Sequence, residues 1–455
     1  MSRIAPLSGF PEWQPPQRII EQRVIDHIRA TFELYGFAPL ETRAVEPIDQ
    51  LLRKGETSKE VYLLRRLQET EEPSGRKEEQ LGLHFDLTVP FARYVVENAG
   101  KLQFPFRRYQ IQKVWRGERP QEGRYREFLQ ADIDVVDRGT LPSHYEVEMP
   151  LVVGDALGGL PIPPVRIQVN NRKLCQGFYQ GLGIGDPEAA LRAVDRLDRV
   201  GPAGVVEQLT QTAGASQAQA KACLALAEIS AEDASFVDVV RALGVQDPLL
   251  DEGLAELVAV VETAREHNPG LLVADLRIAR GLDYYTGTVY ETQLRGYERF
   301  GSICSGGRYD NLASSGEDRY PGVGISIGVS RMLGLLFGAA ALTVSRPVPT
   351  CVLVALPADD RRSECDRVAA ALRRRGIPTE VSPSADKFGK QIRFAERRGI
   401  PFVWFPATET GASDQVKDIR SGDQVDADTA TWTPPEGDLR PTIVTSTDDP
   451  EENTQ

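Results

Sequence analysis

A short, heavily charged loop between two strand-like segments constrains this chain more than any other feature. Strand-like residues at 109–115 lead into the loop, and the strand-like segment after it carries Gln130, Asp132 and Asp134. The loop itself, residues 116–126, holds four arginines and two glutamates. A guanidinium presents a rigid fork of donors that matches phosphate oxygens. The pattern therefore favours a hairpin that holds a nucleotide beside a small zwitterion, although charged runs are also typical of solvated turns.

Four further segments carry polar residues in patterns that indicate ligand binding. They are HFDLTVPFAR (84–93), RGLDYYTGTVYE (280–291), SGGRYDNL (305–312) and GVGISIGVSRM (322–332). Asp86 and Thr88 lie two residues apart, so on a strand they would face the same side. The small residues before Arg331 would let an adenine and its ribose lie against a strand. Taken singly, these segments also fit an aromatic-rich strand, a tight turn or a packed core strand.

Several common motifs of nucleotide and metal sites are absent. The sequence has no GxxxxGK[ST] loop, no GxGxxG after a strand and no HExxH. Its five cysteines are scattered without a CxxC pair, which argues against disulfides and structural zinc and favours a reducing cytoplasm. Nucleotide binding is therefore predicted to use arginines on an antiparallel sheet, and no metal held by dedicated protein ligands is expected.

Charge and hydropathy limit the classes of partner. The 455-residue chain has a net charge of −13, which argues against indiscriminate nucleic-acid binding. Residues 101–128 nevertheless carry +5 and residues 357–400 carry +4, whereas residues 401–455 carry −9. A selectively bound anionic partner fits this distribution. The longest mostly apolar run, Met332–Val344, is shorter than the ~18–20 residues that span a bilayer, so no membrane span is expected. The N-terminal residues MSRIAPLSGFPEWQ have no apolar core of signal-peptide length, so no signal peptide is expected.

The order of these motifs resembles that of the histidyl-tRNA synthetase family, which belongs to the class II aminoacyl-tRNA synthetases. The matching residues are Phe85–Thr88, Arg116–Arg126, Gln130, Asp132, Asp134, Arg280–Glu291, Gly306–Asp310 and Gly324–Arg331. The RGLDYY and GGRYD segments are specific to the histidine enzymes and their relatives. The chain departs from the family pattern at His84, where an arginine is common, at Ser330, where an acidic residue is frequent, and at Ser305 and Asn311, which flank GGRYD.

The resemblance implies an α+β catalytic domain built on an antiparallel sheet flanked by helices. It also implies a helical insertion and a separate C-terminal α/β anticodon-binding domain. The expected ranges are 1–185 and 269–340 for the catalytic core, 186–268 for the insertion, 341–347 for a linker, 348–440 for the anticodon-binding domain and 441–455 for an acidic, disordered tail.

The same resemblance implies the reaction and the residues that perform it. The family activates L-histidine with ATP to histidyl-adenylate and transfers it to the 3′ end of tRNA(His), with Mg²⁺ accompanying ATP. Arg116 and Arg280 are the implied catalytic residues. The implied histidine-binding residues are Asp86, Thr88, Gln130, Asp134, Tyr284 and Tyr285. The implied ATP-binding residues are Arg116, Arg124, Phe128, Arg280 and Arg331.

For tRNA, the resemblance implies contacts from Arg119 and Gln121 at the acceptor end. In the C-terminal domain, Lys387, Lys390 and Arg393 continue to Arg397 and Arg398 at spacings of three to four, which predicts a basic stripe on one helix for RNA phosphates. A solvated basic face is the alternative. The family further implies a cytoplasmic homodimer. The rival function is that of a non-catalytic, histidine-binding regulatory paralogue that serves histidine biosynthesis.

Overall fold

The structure is a computed structural model that describes residues 5–54, 60–67, 80–278, 284–409 and 411–446. The chain divides into two compact units. The first unit comprises Met1–Pro11 and Ile25–Leu335, and the second comprises Glu12–Val24 and Leu336–Gln455. Arg280 and residues 447–455 of the predicted tail lie outside the described residues.

A nine-stranded sheet forms the centre of the first unit. The strands of this unit are β1 (Ala38–Pro39), β2 (Val45–Pro47), β3 (Leu63–Leu64), β4 (Leu81–Leu83), β5 (Phe106–Trp115), β6 (Glu127–Val136), β7 (Val165–Asn171), β8 (Ser230–Ala231), β9 (Leu272–Asp275), β10 (Thr288–Leu294), β11 (Cys304–Tyr309), β12 (Ser314–Ser315), β13 (Asp318–Arg319) and β14 (Gly322–Gly328). The sheet has the order β1-β5-β6-β14-β11-β10-β7-β9-β8. Every pair from β5 to β7 along this order is antiparallel, which confirms the predicted sheet type.

Helices cover the sheet and fill the stretch predicted as an insertion. As far as Gly338 the helices are α1 (Pro15–Leu34), α2 (Ile48–Leu51), α3 (Thr88–Asn98), α4 (His144–Gly158), α5 (Arg172–Gly181), α6 (Pro187–Val194), α7 (Leu197–Thr212), α8 (Gln217–Ala227), α9 (Phe236–Ala242), α10 (Pro248–His267) and α11 (Val329–Gly338). Side chains of Asp186, Ser216 and Asp247 accept hydrogen bonds from the first turns of α6, α8 and α10. These caps satisfy donors that a helix start leaves open, so the succession of short helices is encoded locally.

The charged loop of the sequence connects β5 to β6, as the strand-like segments on either side of it predict. The two strands pair in antiparallel register from Phe106 opposite Val136 to Trp115 opposite Glu127. The loop closes through a tight turn in which the Arg124 amide donates to the Gln121 carbonyl at 2.9 Å. Gly123 occupies the turn with a φ of +67°, a conformation that residues with a Cβ rarely adopt.

The second unit contains a five-stranded sheet with helices against it. Its elements are β15 (Leu342–Val344), β16 (Val352–Val354), α12 (Arg362–Arg374), β17 (Thr379–Val381), α13 (Phe388–Arg397), β18 (Phe402–Phe405), β19 (Asp414–Asp418), β20 (Gln424–Ala427), α14 (Glu436–Leu439) and β21 (Ile443–Thr445). The sheet order is β17-β16-β18-β19-β20, and β16 pairs in parallel with both of its neighbours. Trp404 is fully buried in the core of this layer. This alternation of strands and helices is the predicted α/β pattern.

One local expectation is wrong. Asp86 and Thr88 were expected on a strand, but Thr88 is the first residue of α3, and Asp86 lies in the turn before it. The Asp86 carboxylate accepts a hydrogen bond from the Val89 amide at 3.1 Å, so it caps the helix start. A carboxylate that can satisfy a free amide favours a helix start over a strand. No helix among the described residues is long and apolar enough to cross a bilayer.

Candidate active site

One face of the central sheet presents a row of polar side chains across five strands. Gln110 lies opposite Asp132, Asp132 opposite Ser326, Ser326 opposite Ser305, and Ser305 opposite Glu291. Directly opposed residues project to the same side of a sheet, so all five side chains share one face. We call it the polar face. Polar groups in the middle of a sheet, where apolar packing is the rule, mark this face as a ligand-binding surface.

Two of the cavities that open onto the polar face share lining residues. Of this pair, the larger has a volume of about 290 Å³ and the smaller about 80 Å³. The residues that line both are Arg116, Gln130, Tyr284, Tyr285, Ser305 and Ser326. The sharing of these residues makes the two cavities adjoining parts of one site.

Arg116 stands where the two cavities meet. Its Nε donates a hydrogen bond to the Phe85 carbonyl at 2.9 Å, and its guanidinium carbon lies 5.1 Å from the centroid of the Phe128 ring. Its Nη1 lies 4.0 Å from a carboxylate oxygen of Glu118. These contacts fix one edge of the guanidinium and hold its plane against an aromatic ring, so the group is oriented before any ligand binds.

Two more predicted arginines line the larger cavity. Arg331 follows the glycine-rich strand β14 in the first turn of α11, and its Nη2 donates to the Phe300 carbonyl. Arg124, from the loop, has Nη1 3.6 Å from Glu118, which is a weak, partly exposed pair. The cavity therefore brings together the guanidiniums of Arg116, Arg124 and Arg331 with the half-buried ring of Phe128.

The loop that carries Arg124 lies against α11. A Cβ on Gly334 of α11 would stand 2.2 Å from the Tyr125 hydroxyl, and a Cβ on Gly123 would stand 2.9 Å from Leu335 Cδ2. The loop and the helix thus each have a glycine at the point where they approach most closely. Because Arg331 is on the same helix, this contact brings Arg331 to the loop that carries Arg124.

The smaller cavity contains the predicted amino-acid-binding residues. Its lining includes Asp86, Thr88, Gln130, Asp134, Tyr284 and Tyr285. Tyr284 and Tyr285 have ring centroids 4.1 Å apart, and burial of the Tyr284 hydroxyl raises its pKa well above the usual value. The Tyr284 phenol is therefore a neutral, hydrogen-bonding group at neutral pH.

Asp134 is the most strongly held carboxylate of this cavity. Its Oδ2 pairs with Arg108 Nη2 at 2.7 Å, and its Oδ1 accepts from the Tyr309 hydroxyl at 2.7 Å. Arg108 is fully buried, and its guanidinium carbon lies 4.2 Å from the Phe91 ring centroid. Neither Arg108 nor Tyr309 was assigned to the site from the sequence. The signal available was the register, since Arg108 lies directly opposite Asp134 in the predicted hairpin.

Comparison with known proteins gives the family. The model of the family described as histidyl-tRNA synthetase matches residues 9–332, and the anticodon binding domain model matches residues 350–428. A curated histidine–tRNA ligase of Micrococcus luteus is 59% identical over 98% of this chain and 100% of the relative. That of Cutibacterium acnes is 56% identical over 98% of this chain and 99% of the relative. This chain belongs to the histidyl-tRNA synthetase family.

A solved structure supports the family assignment over both units. The crystal structure of histidyl-tRNA synthetase from Nostoc sp. PCC 7120 has a TM-score of 0.83 and 34% identity, and covers 94% of this chain and 97% of that one. A Bacillus halodurans structure titled ATP phosphoribosyltransferase regulatory subunit/histidyl-tRNA synthetase has a TM-score of 0.69 and 19% identity. The second likeness shows a shared fold.

The family-specific GGRYD segment supports the site with Tyr309 in the lining of the smaller cavity and with Arg308 and Asp310 outside both cavities. Arg308 pairs with Glu146 at 2.8 Å and with Asp310 at 3.0 Å, and Glu146 also accepts from the Thr288 hydroxyl at 2.5 Å. Glu146 is only 2% exposed. Arg308 and Asp310 therefore tie β11 to α4 and β10, while Tyr309, between them, reaches Asp134.

Two departures from the family pattern have structural roles. Ser330 is buried, and its Oγ accepts from the Leu129 amide at 2.9 Å, which links the start of α11 to β6. His84 is fully buried with Nε2 2.7 Å from the Lys113 carbonyl, and burial lowers its pKa below the ordinary value. Neither replacement puts a charge into the site.

The predicted tRNA-binding residues lie at exposed positions in each unit. In the first unit Arg119 and Gln121 are exposed on the loop. In the second unit, four basic residues with exposed side chains lie on α13 or directly before it; they are Lys387, Lys390, Arg393 and Arg397. Arg398 was expected on the same stripe, but it follows the helix and pairs with Glu380 at 2.5 and 3.0 Å. Its positive charge is thereby used within the unit.

Metal-ligating side chains do not cluster in the part of the chain that the structure describes. No group of three or more histidine, cysteine, aspartate or glutamate residues there could hold a metal ion. Two carboxylates, Glu118 and Glu291, line the larger cavity together with the arginines. Mg²⁺ that arrives with a nucleotide is usually held by one or two carboxylates, water and phosphate oxygens, so this pair fits such an ion.

Proposed function

We propose that the two adjoining cavities are the ATP and histidine subsites of a histidine–tRNA ligase. The activity follows from full-length identity to curated ligases, and the proposal assigns the residues. The observation that carries it is the position of Arg116, which lines both cavities and is held by Phe85 and Phe128. A cation at this junction stands where an amino-acid carboxylate would meet an α-phosphate.

The first step needs charge and positioning but no general base. The carboxylate of histidine is ionised at neutral pH, and it must approach the α-phosphorus of a polyanion. Arg116, with Arg280 as its predicted partner, would offset the negative charge that accumulates there. The carboxylate oxygen then forms a bond to the α-phosphorus, and the bond between the α-phosphorus and the bridging oxygen of pyrophosphate breaks. Pyrophosphate leaves with the electron pair of the broken bond.

The remaining ATP contacts come from the larger cavity. The half-buried Phe128 ring offers a face for the adenine, and Arg124 and Arg331 offer donors for the phosphate tail. Glu118 and Glu291 would hold Mg²⁺ together with phosphate oxygens and water. Bound there, the ion would reduce the charge repulsion between the β- and γ-phosphates and the incoming carboxylate.

Histidine would be recognised in the smaller cavity by matching donors to acceptors. Asp86, Thr88 and Gln130 offer acceptors to the ammonium group, while Asp134 and Tyr285 offer partners to the imidazole. Because Asp134 is already fixed by Arg108 and Tyr309, it would meet the imidazole in one orientation only. An apolar analogue would leave these buried groups unpaired, which is a strong basis for rejecting it.

The second step requires tRNA to reach the same cavity. Arg119 and Gln121 are proposed to contact the acceptor end, and Lys387, Lys390 and Arg393 the anticodon arm. We propose residues 1–185 and 269–340 as the catalytic domain, interrupted by the insertion 186–268. In the same scheme, the linker 341–347 leads to the anticodon-binding domain 348–440 and the tail 441–455. A homodimer in the cytoplasm is proposed from the family resemblance, and light scattering coupled to size-exclusion chromatography would measure the mass.

The regulatory alternative makes an opposite prediction in one assay. A histidine-binding paralogue would not exchange pyrophosphate into ATP, whereas the proposed enzyme would do so only when histidine is added. Charging of tRNA(His) transcript should follow in the same preparation. Absence of histidine-dependent exchange from folded protein that still binds histidine would replace the proposal with the regulatory function.

A further inference from the structure

The middle of the three polar residues on β6 has no role in the scheme above. Gln130, Asp132 and Asp134 alternate along the strand and so face the same side, and all three line the smaller cavity. Asp132 is 2% exposed. Burial of an ionised carboxylate to this extent costs free energy unless a donor or a positive charge in the cavity compensates it.

The hydrogen-bond pattern around Asp132 leaves two acceptors open. Asp132 Oδ1 and Gln130 Oε1 are buried and have no hydrogen-bond partner among the described residues. Ser326, opposite Asp132 on β14, orients both side chains: its Oγ accepts from Gln130 Nε2 at 2.7 Å, and its hydroxyl bonds to the Asp132 carboxylate. One serine thus fixes two side chains of the same small cavity, and each has an oxygen that receives no hydrogen bond. A ligand with several donors would satisfy both oxygens.

The charges in the cavity indicate that this ligand is a cation. Burial raises the pKa of Asp132 to about 7; Arg108 opposes the rise, and Asp134 and Asp86 add to it. Arg108 is already paired with Asp134 at 2.7 Å. A ligand with a positive charge and several donors would let Asp132 ionise and would fill both open acceptors.

We propose that Asp132 binds the α-ammonium group of L-histidine together with Gln130, and so acts as a further specificity-determining residue of this site. The inference rests on the proposed function and extends it. Of the three polar groups of histidine, the ammonium alone is cationic throughout the neutral range, and it carries three donors. Asp134, with both oxygens engaged, remains the partner of the imidazole.

The assignment has a consequence for proton uptake and release. The titratable groups that interact with Asp132 are Arg108 on β5, Asp134 on β6, Asp86 before α3, and Tyr284. The same cavity is also lined by Arg116, Tyr285 and Tyr309. Because burial raises the pKa of Asp132 to about 7, a part of this carboxyl group is protonated at neutral pH in the free protein, and ammonium binding requires the ionised form. Histidine binding at pH 7 should therefore release protons, and histidine affinity should fall as the pH drops below about 7.

Calorimetry on the parent protein and on the Asp132→Asn variant tests this. Histidine and 3-(imidazol-4-yl)propionate share the imidazole and carboxylate, but the second lacks the ammonium group. Titrations of histidine at pH 7 in buffers of different ionisation enthalpy should show more protons released from the parent than from the variant, because only the parent has to ionise Asp132. The analogue should show no such difference between the two proteins. Equal proton release from parent and variant on histidine binding would overturn the proposal.

The Asp132→Asn variant tests the contact directly. Histidine affinity should fall roughly 10–100-fold, because a charge-assisted bond is lost, while the affinity for 3-(imidazol-4-yl)propionate should change less than about threefold. Unchanged histidine affinity, or an equal loss for both compounds, would refute an ammonium contact. Since the folded-state pKa of Asp132 lies above its ordinary value, its ionised form destabilises the folded chain at pH 8, so the variant should melt no lower than the parent there.

Failure of the ammonium contact can be distinguished from failure of the ligase assignment. If the parent protein lacks histidine-dependent pyrophosphate exchange, the ligase assignment fails whatever the variant does. If the parent exchanges normally and the Asp132→Asn variant keeps its histidine KM, the ligase assignment stands and the ammonium contact is excluded.

Discussion

A single added methyl group beneath the smaller cavity should destabilise the first unit and weaken histidine binding together. Gly324 on β14 lies directly opposite Asp134 on β6. A Cβ at this position would stand 2.2 Å from Asp134 Oδ1, 2.5 Å from its Cγ and 2.6 Å from the Ile133 carbonyl oxygen. Ordinary contact requires about 3.5 Å, so the Gly324→Ala substitution must open this gap by about 1 Å.

The magnitude follows from how firmly the neighbours are held. Asp134 cannot simply rotate away, because Arg108 and Tyr309 each hold one of its oxygens at 2.7 Å. Overpacking of a core costs about 1–3 kcal/mol, and complete loss of a buried charge pair costs about 3–5 kcal/mol. We expect a loss of about 3 kcal/mol, which corresponds to a melting temperature lower by roughly 5–10 °C for a unit of this size.

Thermal unfolding and the histidine KM of the exchange reaction measure the two effects. Gly158→Ala, at the end of α4, is the matched control, since a Cβ there would meet nothing within 4 Å. It should leave both quantities unchanged or raise the melting temperature slightly, as alanine favours helix. If Gly324→Ala melted within 1 °C of Gly158→Ala, at about the error of the measurement, and kept the histidine KM, the close packing around Asp134 would be disproved.

Three further variants separate the proposed roles. Arg116→Ala should lower the rate of pyrophosphate exchange roughly 10²–10³-fold, as loss of a transition-state donor does, and near-normal exchange would remove it from the reaction. Tyr285→Phe should raise the histidine KM by roughly three- to tenfold and leave the ATP KM alone; an unchanged histidine KM would count against the pocket. Lys387→Glu combined with Arg393→Glu should slow tRNA charging at least tenfold without affecting pyrophosphate exchange, and parallel loss of both activities would point to misfolding instead.

The sequence was sufficient to predict the framework because its signals are local. The strand-like residues at 109–115 and the polar return strand predict the hairpin, and the glycines of 322–328 lead into α11 with Arg331 in its first turn. The type of sheet followed from the absence of the loops that parallel nucleotide-binding sheets require. Each of these inferences depends on residues close together in the chain.

What the sequence did not reveal depends on contacts between distant residues. Arg108 and Tyr309 are 26 and 175 residues from Asp134 along the chain; only the register of the predicted hairpin points to Arg108, and nothing in the local pattern points to Tyr309. The pairing of Arg398 with Glu380 likewise removed one member of the predicted basic stripe. The wrong prediction of a strand at Asp86 and Thr88 has a local cause. The Asp86 carboxylate caps α3, so a helix begins where the strand was expected.

The distribution of satisfied and open hydrogen bonds explains how one small cavity can be both rigid and selective. Asp134 is fixed by two partners, and Arg116 by a carbonyl and a ring, so the groups proposed for the imidazole and the α-phosphate are positioned in advance. Gln130 and Asp132 keep one open acceptor each among the described residues. The fixed groups set the geometry of the reaction. The open acceptors raise the free energy of the empty site, and a ligand with matching donors removes this penalty when it binds. Binding energy from that ligand therefore comes from groups that do not react, and it can serve to orient the carboxylate that does.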